Sequence, residues 1–364
     1  TVSSYQSVVT GDHNTNSGQH NFVGGSYNSQ AGGTSVVVGR TNTANVLDSL
    51  VAGQSNGLTN VVRSVVVGES NTVPASANSV AILGRNNVVD GQTSGAFTGQ
   101  GHNVTGSGVG NLVAGTSSIV SGTTMIVAGD ANTTSAASGL LVGQANTLSG
   151  HNTIAGGTNN ANISASNSVV TGGNHVSIGG NELLVAGDKH TTNASMSIVA
   201  GYQNNESGNY GIVTGLNNIV SGDVNAVFGQ SSTVSGSGNI VGGASNVVAS
   251  NGSLVTGGAI TVDAGSGNNI IGGQSHAFTN SPRNIVGGNA ATMTNTWESI
   301  VVGDGLQVES PRSVVAGYAH HVTGVYSAVF GQSNTVNATH ATAFGLSHYI
   351  SGNFGFATGR AAFI

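Results

Sequence analysis

Along this chain a polar residue is followed by three apolar or small ones and then by glycine, again and again. Ser35-Val36-Val37-Val38-Gly39, Ser64-Val65-Val66-Val67-Gly68 and Ser299-Ile300-Val301-Val302-Gly303 show the pattern at its clearest. A half-exposed strand would alternate apolar and polar residues; an unbroken β-branched run predicts a short strand covered on both faces. One face can line the inside of a coil, and the simplest cover for the other is a second copy of the chain.

Five residues after the glycine a second apolar position recurs. It is Leu58, Val73, Val89, Val104, Val120, Leu148, Val220, Val234, Val248, Val262, Phe278, Met293, Val308, Val322, Val336, Ile350 and Ile364, which is 17 units of 25. This predicts a second, shorter strand with one inward side chain. The glycines run from Gly11 to Gly359, 348 residues in 24 steps, a mean of 14.5 per unit. Fixed-period similarity of this kind identifies a solenoid whose units bury their apolar faces on one another. The expected fold is therefore all-β, a parallel β-roll solenoid of about 25 coils, with residues 1–364 forming one repeat domain.

The third residue after the glycine is Asn or His in 19 of the 25 units, with His at 102, 175, 190, 276, 320 and 348. Both residues tolerate positive φ, so they are expected at a tight turn, where stacked copies would form a ladder of side-chain hydrogen bonds. Six of the 11 histidines share the asparagine slot, which favours turn filling over a metal or catalytic role. Charged and large polar groups collect just after the glycine (Asp12, Arg40, Glu69, Arg85, Asp130, Asp188, Asp304, Arg360), marking a solvated corner.

Composition narrows the picture. The 59 glycines and the 5% of charged residues disfavour helix throughout. Cysteine is absent, which removes disulfides and thiol chemistry. A net charge of -6 spread along the chain provides no basic stripe, so nucleic acid and anionic membrane are not expected partners. No apolar run is long enough to insert in a bilayer.

Segments such as Asn167-Ser168-Val169-Val170-Thr171-Gly172 and Asn225-Ala226-Val227-Phe228-Gly229 resemble the Ser-Val-Ala-Ile-Gly repeats in the head of trimeric autotransporter adhesins of the Yersinia-adhesin type. The likeness runs from about Ser7 to Ile364. It implies a left-handed parallel β-roll, a tight homotrimer, an extracellular or cell-surface location, and binding to host matrix proteins, glycans or surfaces. Asn or His stands where those heads often carry Ser or Ala. Such rolls also resemble segments of phage and viral fibres, which would place the chain on a virion surface.

No catalytic residue, cofactor-binding residue or metal ligand is expected. The glycines open no helix that could cradle a phosphate, and most turns lack the aspartate of calcium-binding rolls. A hydrolase would need paired carboxylates in a groove and an ice-binding surface a regular flat threonine array; both are disfavoured. The sequons at Asn103 and Asn251 arise readily by chance in a chain this rich in Asn, Ser and Thr.

Steps longer than 14 cluster between Gly53 and Gly115, Gly157 and Gly187, and Gly257 and Gly303, where extra residues must bulge outwards. Trp297, the only tryptophan, lies near Arg283 and Arg312, and Tyr202 and Tyr318 stand on the charged corner. These five are the candidate binding residues; for Trp297, covering a widened coil is the simpler role. Val2 and Ile364 share the phase of the short strand, so end-to-end stacking into a filament is a further expectation. The sequence thus points to a non-enzymatic fibre or adhesin head, with a self-stacking structural filament as the alternative.

Overall fold

A computed structural model describes residues 5–74, 77–106 and 108–364. Val2 lies outside the described residues. The chain forms a parallel β-solenoid of about 25 turns, and no helix occurs among the described residues. It divides after Val185 into two compact units.

Nearly every turn contains one wide strand, which ends at or just past the recurrent glycine, and one narrow strand; in the turn after Gly157, Ile163 makes isolated bridges instead. In the first unit the wide strands run from Val8–Asp12 to Val169–Gly173, and narrow strands from Thr15–Asn16 to Thr147–Leu148 pair in a second ladder. In the second unit the wide strands run from Ile198–Tyr202 to Phe356–Arg360 and the narrow ones from Thr191–Thr192 to Tyr349–Ile350. Register follows the repeat: Val36 pairs with Leu50, Val37 with Val51 and Gly39 with Gly53.

The glycine is required by its surroundings. At Gly39 φ is +118°, and a Cβ there would overlap the carbonyl of Gly53 in the next turn. Only glycine combines that conformation with that approach.

The turns differ from expectation in one respect. Asn and His do not occupy the positive-φ position; the residue before them does, as at Ser55 (φ 58°) and Ala131 (φ 53°). Left-handed residues recur every seven positions, at 6, 13, 20, 27, 34, 41, 48 and 55 at the start of the chain, so each 14-residue coil is two similar half-turns. Such residues cost roughly 1 kcal/mol apiece, offset by a backbone bond to the preceding coil: Thr41 N–H donates to Ser26 O at 2.9 Å, and Ser55 N–H to Arg40 O at 2.9 Å.

The core is two side chains thick. The middle residue of each wide-strand run (Val37, Val51, Val66, Ile82) meets the inward residue of the narrow strands (Leu58, Val73, Val89), all essentially inaccessible to solvent. All the short-strand positions expected to point inward are buried except Ile364, which is 42% exposed in the last coil. In the second unit one continuous apolar cluster extends from Val213 to Ala357.

Within one chain the wide strand is covered on its inner face alone. Val36 and Val38 flank the buried Val37 and face outward, Val36 being 38% exposed, so the run alternates in burial although not in polarity. Extra residues in the long coils do bulge outward: Asn60, Asn280 and Asn295 are exposed and left-handed, and Asn280 Nδ2 donates to Asn295 Oδ1 at 2.8 Å.

Candidate functional site

A core this thin leaves backbone groups at every turn out of reach of water, and buried polar groups must be paired. Two interior ladders do this. At the turn after the glycine, the backbone N–H of Asn28 donates to Asn14 Oδ1 at 2.9 Å, while Asn28 Nδ2 donates to the same oxygen at 3.1 Å and to Gly39 O at 2.8 Å. Asn42, Asn56, Asn71 and Asn87 continue the series. At the opposite turn Ser and Asn serve: Ser49 N–H donates to Ser35 Oγ at 3.2 Å, and Asn239 N–H to Asn225 Oδ1 at 2.9 Å. The first ladder was legible in the sequence; the second was missed, although Ser or Asn recurs four residues before the glycine.

Histidine takes the place of asparagine by the same geometry. His102 Nδ1 accepts the backbone N–H of Ser118 at 3.3 Å, and its Nε2 donates to Thr98 O at 3.1 Å. Burial holds the imidazoles of His102, His190, His276 and His320 below the usual histidine value, against opposing backbone hydrogen bonds. These histidines are interior joints of the ladder.

The outer face of the wide strands carries two apolar columns. The first, three residues before the glycine, is Val, Leu, Ile or Phe in 20 of 25 turns; Ile240 is 51% exposed, Ile270 52% and Ile285 48%. The second, one residue before the glycine, is sized in inverse relation to the first in many turns, although Leu140 with Val142 and Ile300 with Val302 depart from it. The five turns with Ala or Thr in the first column (Ala81, Ala96, Ala226, Ala328, Thr342) carry Leu83, Thr98, Phe228, Phe330 and Phe344 in the second. Where the second column is glycine (Gly24, Gly156, Gly242, Gly272, Gly287), the first is Phe22, Ile154, Ile240, Ile270 or Ile285.

The outward position of the narrow strands is more polar. Threonine holds it at Thr133 and Thr147, and at Thr191, Thr233 and Thr261, but Ile119, Ile219, Val247 and Tyr349 interrupt the row.

Of the sequence-proposed binding residues, Arg283 and Arg312 are brought together. Glu298, a residue the sequence reading missed, bridges them: Arg283 Nη2 donates to its Oε1 at 2.9 Å and Arg312 Nε to its Oε2 at 2.9 Å. Arg312 Nη1 also donates to Tyr326 Oη at 2.6 Å; Tyr326 stacks on His340 at 4.8 Å and His340 on Phe354 at 5.1 Å. The signal was their spacing, since 298, 312, 326, 340 and 354 lie 14 apart. Trp297 is half-buried beside this ridge, its carbonyl accepting the Arg312 N–H. Tyr318 stands apart on the charged corner between Asp304 and Gln332, 56% exposed. Tyr202, half-buried in an earlier turn, accepts a hydrogen bond from Lys189 Nζ at 2.6 Å.

Among the described residues no group of three or more His, Cys, Asp or Glu is placed to hold a metal ion, and no helix is long and apolar enough to cross a membrane. Residues 139–229, a quarter of the chain, match the family model described as the grass antifreeze beta roll. No curated protein matches the chain.

Proposed function

We propose that this β-roll repeat protein is a non-enzymatic, self-associating element of an extracellular fibre used for surface attachment, in which identical copies cover one another's wide-strand faces. The observation that carries the reading is the reciprocal sizing of the two outer columns. A face washed by water has no volume to conserve, whereas packed interiors do. Where the compensation occurs it works within one turn, which a covering surface with the same sizes at the same level would match. A second copy in register meets that condition, its first column lying against the second column of its neighbour. Such a contact is heterologous and closes as a ring; the resemblance to adhesin heads gives three as its number.

Covering a half-exposed Ile or Val contributes about 1 kcal/mol. Over the turns of one unit this reaches on the order of 10 kcal/mol, enough to offset the cost of association. The corners and narrow strands remain free to meet a host protein, a glycan or another surface. Native mass measurement tests the reading: a trimer at micromolar concentration is expected, and a chain that stays single at all concentrations overturns it.

A second reading is adsorption to ice. It is favoured by the match of residues 139–229 to the antifreeze family model and by the threonines on the narrow strands, and opposed by the aliphatic interruptions in that row. Thermal hysteresis and faceted ice crystals produced by dispersed single chains would establish it in place of the first.

A further inference from the structure

We propose that His190, His276 and His320 make the second unit open in acid: at each of these three joints, proton uptake at Nδ1 replaces the acceptor of the next turn's backbone N–H with a second donor. In the second unit Asn204 N–H donates to His190 Nδ1 at 3.2 Å, Ala291 N–H to His276 Nδ1 at 3.1 Å and Asn334 N–H to His320 Nδ1 at 3.1 Å. Each Nε2 already donates to a carbonyl, of Ala186 at 3.0 Å, Gly272 at 3.2 Å and Ala316 at 3.2 Å. Imidazolium therefore leaves a buried N–H facing an N–H, which costs the bond and the desolvation of both groups.

Asparagine in the same column makes the same bonds and takes up no proton in this range. His-bearing joints alone respond, and the rest of the ladder stays closed.

The surroundings offer limited relief. Asp188 acts on His190 and Asp304 on His276, each favouring the charged form without outweighing burial. Lys189, next to His190, is held by the Tyr202 hydroxyl. His321, next to His320, is half-exposed and bonded to Gln307. Burial and backbone contacts alone act on His320. Since these groups titrate below their unfolded value, their stabilisation is complete above about pH 6.5 and is lost as the pH falls through the folded values. A fibre built this way loosens locally on entering an acidic medium.

Hydrogen exchange tests the proposal, with rates corrected for the intrinsic effect of pH. In the native protein the amides of Asn204, Ala291 and Asn334 should exchange at least about tenfold faster near pH 5 than near pH 7.5, while the Asn-joined amide of Asn218 should not. The triple variant His190→Asn, His276→Asn, His320→Asn should lose the acceleration, and His321→Asn should keep it. If the triple variant fails to fold, His320→Asn read at Asn334 alone gives the same answer. Equal rates at both pH values, or acceleration persisting in the Asn variants, overturns the proposal.

Discussion

Glu206 turns its carboxyl into the space that Gly211 leaves open. A Cβ at position 211 would run into the Glu206 side chain. Gly211 interrupts the Ser/Asn ladder: its N–H donates to Ser197 Oγ at 3.0 Å, but it has no side chain to serve Asn225 in the next turn. Glu206 is inaccessible to solvent, and neither of its carboxyl oxygens has a hydrogen-bond partner.

Burial, with a smaller contribution from the charge of Asp223, pushes this carboxyl up to about 8. A raised acid binds more protons folded than unfolded, so its contribution is complete below the unfolded value and is lost as the pH rises towards 8. Glu206→Gln should remove that loss. The expected gain near pH 7.5 is about 2 kcal/mol, roughly half the full linkage value because a carboxylate partly rehydrates when its turn relaxes. Urea unfolding of both proteins across the range measures it; unchanged pH dependence in the variant would refute the assignment.

Adjacent glycines should respond in opposite ways. Gly273 has φ +125°, and a Cβ there would overlap the Gly288 carbonyl, whereas a Cβ on Gly272 would lie 3.5 Å from Thr256 Oγ1 on the outer face. Gly273→Ala should cost more than about 3 kcal/mol, combining left-handed strain with a backbone clash. Gly272→Ala should be neutral or stabilise the single chain by up to about 1 kcal/mol. Thermal unfolding under dissociating conditions distinguishes them.

Val224 is a β-branched residue held at φ 59° and 59% exposed. Few residue types suit that conformation less, and little is gained from burying its side chain. Val224→Asn should raise stability by about 1 kcal/mol without the entropy cost of glycine. A denaturation midpoint that falls would show that Val224 is engaged by something other than its own turn.

The repeat, the two strands per coil and the asparagine ladder were legible because each depends on one residue type at one offset from glycine. What the residue pattern left open depended on direction. The run Val36-Val37-Val38 looks the same whether its outer face is covered or open, since composition records that a residue is apolar and not what it meets. The left-handed position escaped notice because Tyr27, Thr34, Asp48 and Ala131 share no chemistry; backbone bonding to the preceding coil imposes the conformation on whatever stands there. Of the five binding candidates, Arg283 and Arg312 are joined through a glutamate that became visible only when residues one turn apart were compared, and Trp297 touches Arg312 through its backbone carbonyl.

Phe228 and Ala226 provide the sharpest test of how the wide face is used. Phe228 is 47% exposed in the single chain and points outward beside Ala226, while in the next turn Gly242 accompanies Ile240. If the face packs against a copy of itself in register, Phe228→Ala empties a site in every interface and should weaken association by about 3 kcal/mol per contact. Ala226→Ile alone overfills the same layer and should also weaken it. The double variant restores the Ile-then-Ala sizing seen at Ile198 and Ala200, and should recover most of the lost affinity. On an exposed face, or against an unrelated rigid surface, the two changes would simply add. Sedimentation equilibrium of the four proteins measures the coupling, and strict additivity would remove the ground for self-association.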